Sequence, residues 1–305
     1  MRNIYDLTIK ELEDYFISIN EKKFRAVQVY EALYKRRVTS FDDMTNISKE
    51  VREKLKQDFS FYKIKMLIKQ QGKNVNKYLF ELEDGNKIES VLMFHDYGTS
   101  ICVSSQVGCN MTCAFCESGR LKKVRNLLAY EIVQQILQIE EDINKRITHV
   151  VLMGIGEPFD NYDNVLRFVK IINCGKGIDI GSRHITISTC GVIPGIKKFM
   201  NEEGQVNLAI SLHAPNNTLR SRIMPINKAY PLNELMETIK EYINKTNRRV
   251  TFEYIMLDNV NDSEENAKEL ALLLKGINCY VNLIPYNETE NIKFKRTKEW
   301  KIMKF

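Results

Sequence analysis

Cys109-x3-Cys113-x2-Cys116 packs three thiols into eight residues, and with Cys102 just upstream four of the seven cysteines fall within fifteen residues. Thiolates this close along the chain can be wrapped by one loop around a metal centre. Zinc asks for four ligands, usually as two separated pairs. The other cysteines, 174, 190 and 279, are scattered singly, and the sequence holds no second Cys-x2-Cys and no His-x3-His pair. An iron–sulfur cubane on three thiolates explains the count better, because one iron stays open for a substrate or cofactor. An odd cysteine count without a secretory signal argues against a disulfide framework and for reduced thiols.

The elements that must position such a loop follow from length and pattern. At 305 residues the chain suits two domains, or one large domain and a small one. Hydrophobic residues make up 44% and charged residues 28%, a globular balance that excludes disorder for most of the chain. With 14 glycines and 6 prolines there is no room for a long flexible linker. No apolar run reaches the ~18 residues of a membrane helix, and the charged start MRNIYDLTIKELEDY lacks a signal-peptide core. A soluble, cytoplasmic protein without a membrane partner is expected. The net charge is +6, and it is unevenly spread. Arg120, Lys122, Lys123 and Arg125 form one basic run, and Lys293, Lys295, Arg296, Lys298, Lys301 and Lys304 face only Glu299 in the last thirteen residues. Each run alone reads as a solvated face.

Residues 1–62 read as a helical module. Thr8-x-x-Glu11 is a capping-box signature, and Leu12, Tyr15, Phe16, Ile19 and then Val27, Tyr30, Leu33, Tyr34 recur at helical spacing. Asn46 or Ser48 would cap a third helix through Val51 and Leu55. Residues 63–98 change period, with a hairpin around Asp84-Gly85. From 99 to 305, strands predicted at 101–105, 147–154, 184–190, 206–212, 249–257 and 279–285 alternate with helices near 129–144, 161–173, 194–201, 232–245 and 263–275. That alternation predicts an α/β fold with a parallel sheet, doubly wound or rolled into a barrel. Ligands then bind at the carboxyl ends of the strands. The cysteine loop, Gly154-Ile-Gly156-Glu157-Pro158, Ser188-Thr-Cys190-Gly191, Ser211-Leu-His213 and Pro285-Tyr-Asn287 all fall at such ends.

A Cys-x3-Cys-x2-Cys loop after the first strand of a partial (βα)6 barrel resembles the radical S-adenosylmethionine (SAM) enzymes, and Phe115 before the third cysteine fits them. In that superfamily the open iron binds the amino and carboxylate groups of SAM, and one electron splits the sulfonium to a 5′-deoxyadenosyl radical. The resemblance narrows with Cys102-Val-Ser-Ser-Gln-Val-Gly-Cys109, Arg125-Asn-Leu127, Gly154–Pro158, Ser188–Pro194, Ser211-Leu-His-Ala-Pro215, Arg222-Ile-Met-Pro-Ile-Asn227 and Asn282-Leu-Ile-Pro-Tyr-Asn287 in order. Together with Asp6-Leu-Thr, Phe24-Arg-Ala and Met44-Thr-Asn they resemble the adenosine C2-methyltransferases of 23S rRNA and tRNA, the RlmN type, and their C8-methylating Cfr-type siblings, over residues 4–290.

The resemblance implies a [4Fe-4S] cluster on Cys109, Cys113 and Cys116. It implies SAM held by Gly156 and Glu157 at its amino end and by Ser188, Ser211, Leu212, His213 and Asn287 at its ribose and adenine. It further implies Glu89 as a proton acceptor near the target base and Cys102 as a thiol that resolves a covalent protein–RNA intermediate. A flavodoxin or ferredoxin is the implied electron donor, and 1–62 an RNA-contacting accessory domain. Taken singly, Glu89 reads as an outward carboxylate on a hairpin strand and Cys102 as a small core residue.

Three features depart from the family pattern. The family's methyl-carrying cysteine belongs to a C-terminal segment that would lie past Phe305, so the chain is expected either to be part of a longer one or to be a paralogue without that carrier. Glu117 puts a charge beside Cys116, and Cys190 adds a thiol beside Ser188. Besides C2 methylation, three readings stay open: C8 methylation, a radical SAM enzyme that transfers no methyl group, and a non-catalytic metal- or cluster-containing RNA-binding protein.

Overall fold

A computed structural model describes residues 1–305. β1 (Arg2–Asn3) leads through a helical turn to α1 (Ile9–Ser18), α2 (Arg25–Tyr34) and α3 (Lys49–Asp58), and β2 (Phe59–Ser60) returns parallel to β1. The capping box forms as its spacing predicts: Glu11 N–H donates to Thr8 Oγ1 at 3.3 Å and Thr8 N–H donates to Glu11 Oε2 at 2.9 Å. Ser48, not Asn46, caps α3. Leu12, Phe16, Tyr30, Leu33 and Tyr34 form the buried face of these helices. The buried hydroxyls are satisfied, Tyr30 donating to the Leu7 carbonyl at 3.2 Å and Tyr34 to that of Tyr5 at 3.3 Å.

The strands β3 (Lys65–Gln71), β4 (Val75–Glu81), β5 (Lys87–His95) and β6 (Gly98–Cys102) follow as an antiparallel meander. The sequence pattern shows one hairpin here, and the structure adds β3. That strand is mostly solvated, so it carries no apolar alternation for a pattern to reveal. The strand expected at 101–105 ends at Cys102, and the chain then forms β7 (Gln106–Val107) and β8 (Arg125–Asn126). Beyond them come α4 (Ala129–Ile143), β9 (His149–Leu152), α5 (Tyr162–Asn173), β10 (Ile185–Thr189), α6 (Ile193–Phe199), β11 (Asn207–Ser211), α7 (Asn217–Ile223), α8 (Leu232–Thr246), β12 (Val250–Met256), α9 (Glu264–Leu274), β13 (Cys279–Pro285) and α10 (Glu299–Lys304). These agree with the predicted alternation to within a few residues. The additions are α7 and α10, each too short to show a periodic stripe.

Contacts divide the chain into two compact units, the first of residues 1–105, 127–154 and 161–185, the second of 106–126, 155–160 and 186–305. In the first, β9 lies parallel to β6, and β6 joins the meander through β5. In the second, β10 to β13 are all parallel, with Ser188 beside Ala209, Ser211 beside Glu253 and Glu253 beside Asn282. Ile187, Leu208, Ile210, Phe252 and Tyr254 are fully buried on these strands, the continuous apolar content expected when helices cover a parallel sheet. Strand order follows chain order, so the carboxyl ends of β10, β11, β12 and β13 lie side by side. No helix is long and apolar enough to cross a membrane.

Candidate active site

The cysteine loop of the second unit leaves β7 and returns at β8, which pair antiparallel with Val107 opposite Arg125. Within it the Cys109 N–H donates to the Leu121 carbonyl at 2.9 Å, Cys116 N–H to Cys113 O at 3.1 Å and Gly119 N–H to Cys116 O at 3.0 Å. A Cβ at Gly119 would lie 2.9 Å from both the backbone nitrogen and oxygen of Cys113, so only glycine lets the chain turn this closely around the second thiol. Burial pushes the Cys113 thiol up to about 12, the neighbouring Cys116 and Cys109 push the same way, and the Arg220 cation pulls it down. Burial also raises Cys109, with Cys116 and Glu157 adding to it. Burial thus disfavours the thiolate form of Cys109 and Cys113, and a cation held by the loop would favour it again.

Beside this loop, Gly156 takes φ +110° and turns the chain at Ile155–Asp160. Glu157 is buried and its carboxylate is directed inward. Oε2 accepts the Cys190 N–H at 2.8 Å and Oε1 accepts the Phe159 N–H at 3.0 Å. Gln106 holds the same turn, accepting the Glu157 N–H at 2.9 Å while its amide donates to Asn126 and to Asp160. Burial raises the pKa of Glu157, and its hydrogen bonds from Cys190 oppose the rise.

At the ends of the parallel strands, Ser188 is buried on β10 and Ser211 is half-buried at the end of β11. Leu212 and His213 continue that edge, both donating their N–H groups to the Glu253 carbonyl, at 3.0 and 3.2 Å. His213 adopts φ +57°. The Asn261 amide donates to the His213 carbonyl at 2.8 Å, and the ring Nδ1 accepts the Ile255 N–H at 2.9 Å. That acceptor role assigns the ring proton to Nε2. Burial, and secondarily the Arg220 cation, push the ring down to about 3, so it is neutral at physiological pH. Asn287 is exposed, one residue beyond Tyr286, which is buried in an apolar cluster with Cys190, Ala214, Ile223 and Met224. Cys113 and Phe115 pack on that cluster.

Glu89 and Cys102 belong to the first unit. Val91 on β5 lies opposite Cys102 on β6, so Glu89, two residues from Val91, projects from the same face on the diagonal. Lys77 of β4 approaches Glu89 Oε1 to 2.7 Å. The Ser104 hydroxyl donates to the Glu89 carbonyl at 2.6 Å, and buried Gln135 of α4 fixes Ser104 from both sides, accepting its N–H at 2.9 Å and donating to its carbonyl at 3.0 Å. Burial pushes the Cys102 thiol up to about 11, against a hydrogen bond from Met153.

The second unit therefore holds Cys109, Cys113, Cys116, Gly156, Glu157, Ser188, Ser211, Leu212, His213 and Asn287, and the first holds Glu89 and Cys102. Sequence reasoning missed Gln106, Lys77 and Arg220. Gln106 and Lys77 carry no spacing signal. Arg220 did leave a trace, as a charge flanked by Leu219 and Ile223 on the apolar side of a short helix.

Residues 2–60 match the ribosomal RNA large subunit methyltransferase N-terminal domain, and residues 103–271 match the radical SAM superfamily. The chain is 55% identical to a probable dual-specificity RNA methyltransferase RlmN of Spiroplasma citri, over 94% of this chain and 84% of that protein. It is 51% identical to the protein of that name in Thermoanaerobacter sp. (strain X514), over 100% of this chain and 90% of that one. The crystal structure of a radical SAM methyltransferase from Sphaerobacter thermophilus superposes with a TM-score of 0.94 at 40% identity, covering 100% of this chain and 91% of that one. The α/β fold is that of the radical SAM class, and the chain belongs to the RlmN family of radical SAM RNA methyltransferases.

Proposed function

We propose that this enzyme methylates carbon 2 of an adenosine in 23S rRNA and in tRNA, using a [4Fe-4S] cluster and SAM. The observation that carries the reading is the three-thiol loop packed against the strand ends that present Ser188, Ser211 and His213. The dual specificity in the relatives' names supports two RNA substrates.

The donor set fits a cluster. No three His, Cys, Asp or Glu side chains converge tightly enough to hold a single ion. A cubane asks for no such convergence, since each of Cys109, Cys113 and Cys116 would bind a different iron. When bound, the cluster and SAM supply one-electron chemistry at carbon that no side chain offers.

The remaining roles fall to the chain. Gly156 and the backbone of Glu157 would face the SAM amino end, because the Glu157 carboxylate is already committed to the Cys190 and Phe159 N–H groups. Ser188, Ser211, His213 and Asn287 would hold the ribose and adenine, with Leu212 as an apolar wall and neutral His213 offering an Nε2–H. Glu89, its carboxylate beside the Lys77 ammonium, would accept the proton lost from the adenine. Cys102, on the same face, would take part in releasing the RNA from a covalent adduct. Residues 1–62 would contact RNA, and a flavodoxin or ferredoxin in the cytoplasm would deliver the electron.

The test is the full-length gene product, purified without oxygen and given SAM, dithionite and either a 23S rRNA fragment or tRNA. Nucleoside mass spectrometry should find 2-methyladenosine in both RNAs, formed together with 5′-deoxyadenosine. Deoxyadenosine without a methylated nucleoside, or 8-methyladenosine instead, would overturn the reading.

A further inference from the structure

Arg220 is 0% exposed, the largest fully buried side chain of the protein. Its guanidinium donates to four oxygens from three places: Nη2 to the Cys190 carbonyl at 2.6 Å and to the Ser211 carbonyl at 3.2 Å, Nε to the Leu212 carbonyl at 3.2 Å, and Nη1 to Asn227 Oδ1 at 3.0 Å. Cys190 follows β10, Ser211 ends β11 and Leu212 follows it, so one planar group ties together two adjacent strand ends. Asn227 is itself fixed, its amide donating to Asn217 Oδ1 at 2.9 Å and to Ser221 Oγ at 2.8 Å. The helix that carries Arg220 also holds the cysteine loop, for the Ala114 N–H donates to the Ile223 carbonyl at 2.9 Å, one residue beyond Cys113.

All four acceptors are neutral, and a buried cation on neutral partners is costly. Burial pulls the guanidinium down to about 10, which still leaves it a cation at neutral pH. Arg220 precedes Ile223 by three residues on this helix, and the Ile223 carbonyl holds the Ala114 N–H next to Cys113, so the cation stands close to the cysteine loop. A negatively charged group bound by that loop would offset the cost of burying the cation.

We propose that Arg220 is a positioning residue and counter-charge that couples the cluster loop to the SAM-binding strand ends. Its fork sets the ends of β10 and β11, and its charge makes the cluster easier to reduce by stabilising the added electron. This rests on the cluster-and-SAM assignment above. The two functions separate by substitution, because lysine keeps the charge but cannot span carbonyls from two strands.

The experiment uses the anaerobically reconstituted enzyme in three forms, wild type, Arg220→Lys and Arg220→Met. Iron and sulfide content, SAM affinity by equilibrium dialysis and the cluster midpoint potential by EPR-monitored titration with dithionite are measured on each. Arg220→Lys should bind SAM weaker by about tenfold or more, the loss of charged hydrogen bonds to two carbonyls, with its potential close to wild type. Arg220→Met should lose affinity similarly and show a more negative potential. If Arg220→Met does not fold, Arg220→Lys decides alone: wild-type affinity overturns the proposal. Wild-type affinity and potential in a cluster-loaded Arg220→Met would overturn it too. A wild type that binds neither cluster nor SAM would instead refute the underlying assignment.

Discussion

The Phe115 ring meets His213 edge-on, with centroids 4.8 Å apart and planes at 82°. Phe115 lies between the second and third cysteines, and His213 lies just past the end of β11. The contact therefore joins the thiol loop to a strand end through two rings. An edge-to-face pair of this kind is worth ~0.5–1.5 kcal/mol beyond the area it buries. His213 is held from its other side by Ile255, Asn261 and Glu253, so the ring gives Phe115 a rigid support.

Acid should weaken the folded state through His213. Its folded value, near 3, lies below the ordinary 6.5, so the fold favours the neutral ring. The stabilisation is complete above about pH 6.5 and is lost as the pH falls towards 3. For one proton the slope approaches ~1.4 kcal/mol per pH unit. Denaturant unfolding from pH 7 to 4 measures it, and His213→Gln should flatten that part of the profile. An unchanged slope in the variant would remove His213 from the account.

Cys113→Ala should leave far-UV circular dichroism unchanged while iron and sulfide content drop to background and 5′-deoxyadenosine formation stops. Gly119→Ala should give an intermediate loss of iron, because its methyl group would lie 2.9 Å from the Cys113 backbone on two sides. Full iron loading of Gly119→Ala would show that the loop yields there.

Glu89→Gln should keep reductive SAM cleavage yet lower methylated nucleoside by about a hundredfold or more, the scale of a lost general base. Lys77→Ala breaks the 2.7 Å pair and should lower product formation less. Both partners are largely solvated, so stability should change by under ~1 kcal/mol. Equal loss of cleavage and of methylation in Glu89→Gln would place Glu89 outside the proton transfer.

The first unit has its own acid-sensitive point at Glu11. Burial acts to raise its carboxyl, but hydrogen bonds from Arg167, Thr8 and Arg2 outweigh that and hold it at about 2. Its contribution is complete above the ordinary 4.5 and is lost as the pH falls towards 2. The stability gap between wild type and Glu11→Gln should therefore be widest near neutrality and close in acid. Thr8→Ala removes the other half of the capping box and should cost ~1 kcal/mol at neutral pH. Urea unfolding at pH 7 and pH 3 reads both effects.

Much of this protein was determined locally, and local determinants can be read from a sequence. Thr8 and Glu11 lie three residues apart, so their reciprocal cap follows from spacing alone. The strands β10 to β12 are largely buried and show as apolar runs, and the helices between them show as 3.6-residue stripes. Cys109, Cys113 and Cys116 stand within one loop, so their nearness to one another needed no tertiary information. What only the folded chain decided depends on residues far apart in sequence. Glu157 turns its carboxylate to an N–H thirty-three residues away at Cys190, and Lys77 reaches Glu89 only because β4 and β5 pair in one register. Strand β3 is solvated and so left no apolar pattern. Arg220 was the hardest to foresee, since charge normally marks a surface. It is buried because carbonyls from two strand ends converge on one point, and a guanidinium can donate to several of them at once.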